Sequence, residues 1–127
     1  MNTNIGIYRI SVPQFAILKE IVPNEKILLD TKIFFEYNAE LMLVACNVGY
    51  DFRTESDLIL KMVCKCEYQF TSDDWKTLFK NDKPDFPKEL LSFLTMQTIG
   101  TARGILFCKV ENTPLSVLMI PPVNLSE

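Results

Sequence analysis

Histidine is missing altogether from this chain of 127 residues. That single absence removes the commonest general base, the Ser-His and Cys-His nucleophile pairs, and every histidine-containing metal site. Glycine is scarce, with four in the chain. Neither G-x-x-x-x-G-K followed by Ser or Thr nor G-x-G-x-x-G occurs, so no phosphate-cradling loop is expected. No uninterrupted apolar run approaches the ~18 residues of a membrane span. The N-terminal MNTNIGIYRISV has neither a basic n-region nor an apolar h-region, so no signal peptide is evident and the cytoplasm is the expected compartment. An excess of positive charge is lacking too. The formal charge is −3, and the Lys and Arg residues are dispersed among acids. A phosphate-binding surface needs them clustered, so nucleic acid is not an expected partner.

What the chain does have is apolar residues, 48% of the total, enough for one domain over residues 1–127 with a real core. Its four cysteines, Cys46, Cys64, Cys66 and Cys108, could make two disulfides in a small secreted protein. Cys64 and Cys66, however, stand two apart in an alternating strand pattern and point the same way. Buried thiols serving as small hydrophobes are therefore expected. A four-thiolate zinc site is the alternative, and it lacks the usual pair of C-x₂₋₄-C spacings. No metal or cofactor is expected.

Ile5 to Leu18 reads as a strand with a break, because Pro13 cannot donate to a central ladder. Val22 to Glu25 is a turn or crossover. From Lys26 the chain is extended again, with Ile27, Leu29, Ile33 and Phe35 on one parity and Asp30 and Lys32 on the other. A bulge or short loop is expected near Tyr37-Asn38-Ala39. The run Leu41 to Val48 is almost continuously apolar, as for a central strand covered on both faces, and Arg53 to Asp57 is a polar turn. The strongest alternation follows. Leu58, Leu60, Met62, Cys64, Cys66, Tyr68 and Phe70 oppose Lys61, Lys65, Glu67 and Gln69, which makes a half-buried antiparallel strand paired by hairpin to the previous one.

Thr71 to Asp74 offers helix-capping side chains ahead of Trp75, Leu78 and Phe79, for one or two helical turns. Trp75 is expected as a core plug or a lid over the sheet edge, and Asn81 to Asp85 as a loop. Pro87 suits the first turn of a long helix, expected over about Lys88 to Lys109 from the spacing of Leu90, Leu91, Phe93, Leu94, Ile99, Ala102, Ile105 and Leu106. Gly100 and Gly104 weaken that helix by ~1 kcal/mol each, so close approach of another backbone, in an oligomer of at least a dimer, is expected; a local kink is the alternative. Glu111 to Pro114 ends the helix, and the tail from Leu115 to Leu125 reads as apolar and extended. Met42, Met62, Met96 and Met119 are expected in the core. The fold class is thus α+β, a four-stranded antiparallel sheet with one long helix packed on one face.

Several segments carry a likeness to a known family. Thr101-Ala102-Arg103-Gly104 in the long helix, then Thr113-Pro114-Leu115, then Pro121-Pro122-Val123-Asn124-Leu125, resembles the end of SecB, the bacterial export chaperone. That family has an Ala-Arg pair in its principal helix, a short descent through Thr-Pro, and a closing Pro-Pro-Val-Asn-Leu or close variant. Glu25 to Thr31 looks like the family's second-strand opening, and Glu40 to Val48 with Leu58 to Phe70 fits its central hairpin. Two departures stand out: SecB continues past this ending into a second helix, whereas this chain stops at Glu127, and Val22 to Glu25 lacks the aromatic residues of enterobacterial SecB. The chain resembles the divergent SecB-like proteins, some of which accompany toxin–antitoxin pairs.

The resemblance implies a homo-oligomeric chaperone, dimer or tetramer, that binds unfolded polypeptide in an apolar groove, with the translocase ATPase SecA as a further partner. It places Ile21, Val22, Ile27, Leu29, Val123 and Leu125 on that groove, the last two unusually exposed because the second helix is absent. Capture of unfolded chains needs apolar surface that accepts many sequences, and no reactive group. A SecB-fold protein dedicated to one partner such as an antitoxin is the alternative. An enzyme or small-ligand carrier on another α+β fold is the third reading, with Glu36 and Glu40 as its carboxylates; solvated edge charges are the plainer view of both.

Overall fold

The alternation of apolar and polar residues is expressed in four long strands. In the computed structural model, residues 5–21 and 24–121 are described. The strands are β1 (Ile5–Ile17), β2 (Leu28–Asn38), β3 (Leu43–Arg53) and β4 (Leu58–Phe70). They form one antiparallel sheet in the order β1-β4-β3-β2. β1 and β2 are therefore the two edges of the sheet.

The turns follow from their residues. Between β2 and β3 the Asn38 side-chain oxygen accepts from the Leu41 backbone amide at 3.1 Å, so the irregularity expected there is a short loop. Between β3 and β4, Thr54 Oγ1 accepts from the Asp57 amide at 3.1 Å, a side-chain mimic of a backbone turn.

Thr71 caps the single turn α1 (Ser72–Lys76), accepting from the Asp74 amide. A small hairpin follows, β5 (Phe79–Lys80) and β6 (Lys83–Pro84), where a plain loop was expected. Asn81 and Asp82 both take positive φ, 54° and 62°, which is the backbone that a two-residue hairpin turn demands and that Asn and Asp tolerate.

The long helix α2 runs Lys88–Val110, with Pro87 at its N-cap. Its inward stripe, Leu90, Leu94, Thr98, Ala102, Leu106 and Val110, is buried against one face of β3 and β4. There it meets Val44, Cys46, Val48, Tyr50 and Phe52 with Leu60, Met62, Cys64, Cys66, Tyr68 and Phe70. Complete burial of such side chains stabilises by roughly 1.5–3 kcal/mol each. By length and composition α2 could cross a membrane, but that stripe is already the lid of this core.

The tail departs from the sequence reading. Pro114–Val117 is a 3₁₀ turn capped by Thr113, because proline suits the first position of a helical turn and the Thr113 hydroxyl accepts from the Leu115 amide. Leu118 and Ile120 then return to the core while Met119 faces outward. Two further expectations are corrected. Cys108 is exposed rather than buried, since it falls off the inward stripe of α2. Met96, off the same stripe, and Met119, which alternates with the buried Leu118 and Ile120 in the tail, are also exposed.

Candidate functional site

The two faces of the sheet differ in kind. On the face away from α2, ion pairs link the strands, and one of them, Lys65 of β4 to Glu36 of β2, reaches across β3. Arg9 meets Glu67 at 2.7 Å, Lys61 meets Asp51 at 3.2 Å and Lys65 meets Glu36 at 3.5 Å. Arg53 donates to Asp30, and its guanidinium holds that carboxyl below the ordinary carboxylate value. Asn47 Nδ2 donates to Glu36 Oε1 at 2.9 Å. Such exposed pairs are worth ~0–1 kcal/mol each, and together they make this face largely polar, with Phe34 of β2 half-exposed among them. Glu36 is engaged there, and Glu40 lies in the β2–β3 loop, so the two carboxylates share no strand face.

The helix-bearing face is the opposite. Register places Leu29, Ile33, Phe35 and Tyr37 of β2 opposite Phe52, Val48, Cys46 and Val44, and therefore on the same side as α2. Leu29 and Phe35 are half-buried against the core, while Ile33 and Tyr37 keep 38% and 48% of their surface exposed. At the far end of this row the Tyr37 ring is the centre of an aromatic cluster. Its centroid lies 5.6 Å from Phe79, 6.0 Å from Phe86 and 6.4 Å from Trp75. Edge-on contacts at these separations favour aromatic pairs beyond the area they bury. Trp75 is buried beneath and touches Phe70 as well. It is thus the core plug, and Tyr37 is the exposed ring above it.

Of the residues expected to line a groove, Ile21, Ile27 and Leu29 are half-buried and packed against the core. Val22, Val123 and Leu125 lie outside the described residues. Ile33 and Tyr37 are not among the residues expected on the groove, although Ile33 shares the parity of Ile27 and Leu29. Tyr37 gives no local signal, because its partners Trp75, Phe79 and Phe86 come from distant sequence.

Further apolar surface lies on α2 and beyond it. Phe93, Met96, Gly100, Gly104 and Phe107 form a stripe opposite the buried one, with Met96 56% and Phe107 62% exposed. A Cβ added at Gly100 or Gly104 meets nothing within 4 Å, so among the described residues no backbone from outside the helix closes on either glycine. Between α2 and the tail an open groove of about 800 Å³ is walled by Gly104, Phe107, Val110, Met119, Ile120 and Pro121. On the other flank Ile7, Ile10 and Ile17 of β1 are exposed, and Lys109 lies 5.0 Å from the centroid of the Phe15 ring.

Beneath α2 the thiols meet hydroxyls. Cys46 on β3 and Cys66 on β4 are direct partners in the register, and Cys46 Sγ is 3.9 Å from Thr95 Oγ1. Burial raises the Cys46 thiol above its ordinary pKa. The Cys64 thiol is raised further, first by its hydrogen bond with Cys66 and then by burial. Among the described residues no three Cys, Asp or Glu side chains converge as metal ligands.

No protein-family model matches the sequence, and no curated protein matches it. A solved structure does. The SecB-like chaperone of Mycobacterium tuberculosis, in complex with a ChAD peptide from the HigA1 antitoxin, superposes with a TM-score of 0.61 over 94% of this chain and 88% of that one, at 9% identity. The fold is SecB-like. An identity so low carries the architecture alone, and the sheet order, the helix on one face and the polar opposite face are what this chain has in its own right.

Proposed function

We propose that this SecB-like protein binds unfolded polypeptide on the apolar flank of its helix-bearing face, as a chaperone that needs no nucleotide and performs no chemistry. The observation that carries the reading is the apolar row of β2, ending in the half-exposed Tyr37 over Phe79 and Phe86. It stays open to solvent while the reverse of the sheet is crossed by ion pairs, with Phe34 half-exposed among them. Aromatic rings and exposed methionines such as Met96 and Met119 accept many side-chain shapes. In this reading Ile27 and Leu29 continue the row at its other end, joined by Ile21, Val22, Val123 and Leu125. The proposed setting is the cytoplasm, where delivery of clients to SecA would make the protein an export factor.

Self-assembly belongs to the same reading. A helix that is apolar on two opposite sides is one that becomes covered on both, and the open space at Gly100 and Gly104 admits a second helix. The proposed cover is a second copy of this chain. Light scattering at micromolar concentration is expected to show a dimer or larger, and a monomer alone refutes it.

A second reading, service to one dedicated partner, is favoured by the antitoxin peptide bound to the Mycobacterium tuberculosis protein. Mixing the purified protein with several chemically denatured proteins separates the two. Suppressed aggregation of several clients supports general capture. Tight capture of one protein only supports the dedicated role, and inertness toward every unfolded chain refutes both.

A further inference from the structure

The two edges of the sheet are built differently. β1 carries Pro13 and two breaks in register, between Ile7 and Arg9 and between Ser11 and Gln14, the devices by which an edge strand resists pairing with another chain. β2 has neither. Its register against β3 runs unbroken from Leu28 opposite Arg53 to Asn38 opposite Leu43, and it holds no proline. Among the described residues it pairs with β3 alone, so alternate backbone N–H and C=O groups along its outer side have no strand partner. Groups spaced at the strand repeat are matched by one kind of occupant, another extended backbone.

We infer that the client segment is held as an added strand on the free edge of β2. This rests on the polypeptide-binding reading and specifies its mode. The side chains flanking the edge then dictate the pattern of the segment. On the α2 side Ile33, Phe35 and Tyr37 are apolar, so every second residue of the guest is aromatic or aliphatic. On the other side β2 presents Asp30, Lys32, the half-exposed Phe34 and Glu36. Asp30 is paired with Arg53 and Glu36 with Lys65, which leaves Lys32 as the β2 charge with no ion pair among the described residues. The guest residue beside Lys32 is therefore acidic, since opposite charges across a strand pair are favourable and like charges are not. Recognition is by backbone and alternation, and tolerates many sequences.

The probe is a synthetic peptide about as long as β2 that alternates valine or tyrosine with serine and carries one central glutamate. Peptide binding is followed by fluorescence anisotropy, and β2 amide exchange by NMR with and without peptide. The peptide is expected to bind and to slow exchange at every second amide between Leu28 and Asn38. N-methylation of the peptide amides in one alternating register should weaken binding at least about tenfold, and in the other register hardly at all, because only one set reaches β2. Replacing the glutamate by lysine should cost a few-fold with the native protein, and Lys32→Glu should reverse that preference. If neither peptide nor denatured proteins bind, the chaperone reading itself fails. If the peptide binds but neither methylated register matters and β2 exchange is unchanged, strand addition is overturned and capture by side chains alone remains. Slow exchange of those amides in the free protein shows the edge already covered, by a second copy or by the chain itself, and overturns it equally.

Discussion

The hydroxyls of Tyr68 on β4 and Thr98 on α2 lie 2.9 Å apart in the buried core. Thr98 also donates to the Leu94 carbonyl at 2.8 Å, so the Tyr68 hydroxyl ties the sheet to the middle of the helix through a group that the helix already positions. Removing one partner leaves the other short of a bond inside the core, at a cost of about 1–3 kcal/mol. Tyr68→Phe and Thr98→Val are each expected to destabilise within that range. The double variant should cost clearly less than the sum, as measured by urea unfolding in a double-mutant cycle. Additive losses would show that the two hydroxyls do not act together.

Thiol chemistry should divide the cysteines by position. Cys46, Cys64 and Cys66 have no exposed surface, and Cys108 is exposed. Thiolates react and thiols do not, and burial raises Cys46 further from reaction. Alkylation of the native protein near neutral pH is therefore expected to label Cys108 alone, with the other three labelled after denaturation. Rapid labelling of Cys66 in the native state would contradict the packing of α2.

The Arg53–Asp30 pair gives a pH dependence of known sign. Hydrogen bonding from the guanidinium holds the Asp30 carboxyl below its ordinary value, so the folded state binds this proton less readily than the unfolded one. The pair's contribution is present above the unfolded value, near ~4, and is lost as pH falls through the lower folded value. An NMR titration should show Asp30 protonating at lower pH than in Arg53→Gln, where the shift should vanish. Equal titration midpoints in the two proteins would rule out the pair in solution.

Client capture should depend on the exposed part of the β2 row. Ile33 and Tyr37 are partly open to solvent, and each is worth up to ~1.5–3 kcal/mol when buried by a guest. Ile33→Ser with Tyr37→Ser is expected to weaken capture of a denatured protein by tenfold or more, with most of the thermal stability kept. Ile27→Ser with Leu29→Ser is a different test. Both residues pack against the core, so that pair should lower the melting temperature more than Ile33→Ser with Tyr37→Ser. Unchanged capture in the Ile33 and Tyr37 variant would remove this flank as the binding surface.

The fold was legible where a local period carried it. The alternation of β4 follows from side chains pointing to opposite faces of a strand, and α2 from a period close to four residues. Its expected end at Lys109 lies one residue from the observed Val110. Which side of α2 faces the sheet was less legible. The helix is apolar on both sides, so Met96 and Phe107 look in sequence like the core residues Leu94 and Leu106. The site was legible only in part: the parity of Ile27, Leu29, Ile33 and Phe35 marks one face of β2, but nothing near Tyr37 announces Trp75, Phe79 and Phe86. Ring clusters assembled from distant segments leave no period to read. Asn81 and Asp82 did carry a local turn signal, without the β-branched flanks that identify a hairpin.

The small side chains beneath α2 have a consequence for the flanks on either side. Cys46 lies against Thr95, and Ala102 is buried on the inward stripe of the same helix. Residues of this size let a helix axis ride low over a sheet, whereas Leu or Phe at the same points would lift it. α2 packs on β3, the strand that pairs with β2, so its height over the sheet also sets how far it stands above the β2 row. How far the helix stands above that row can thus be set from underneath, by exchanging a buried sulfur for a larger group, without altering any exposed side chain of the row.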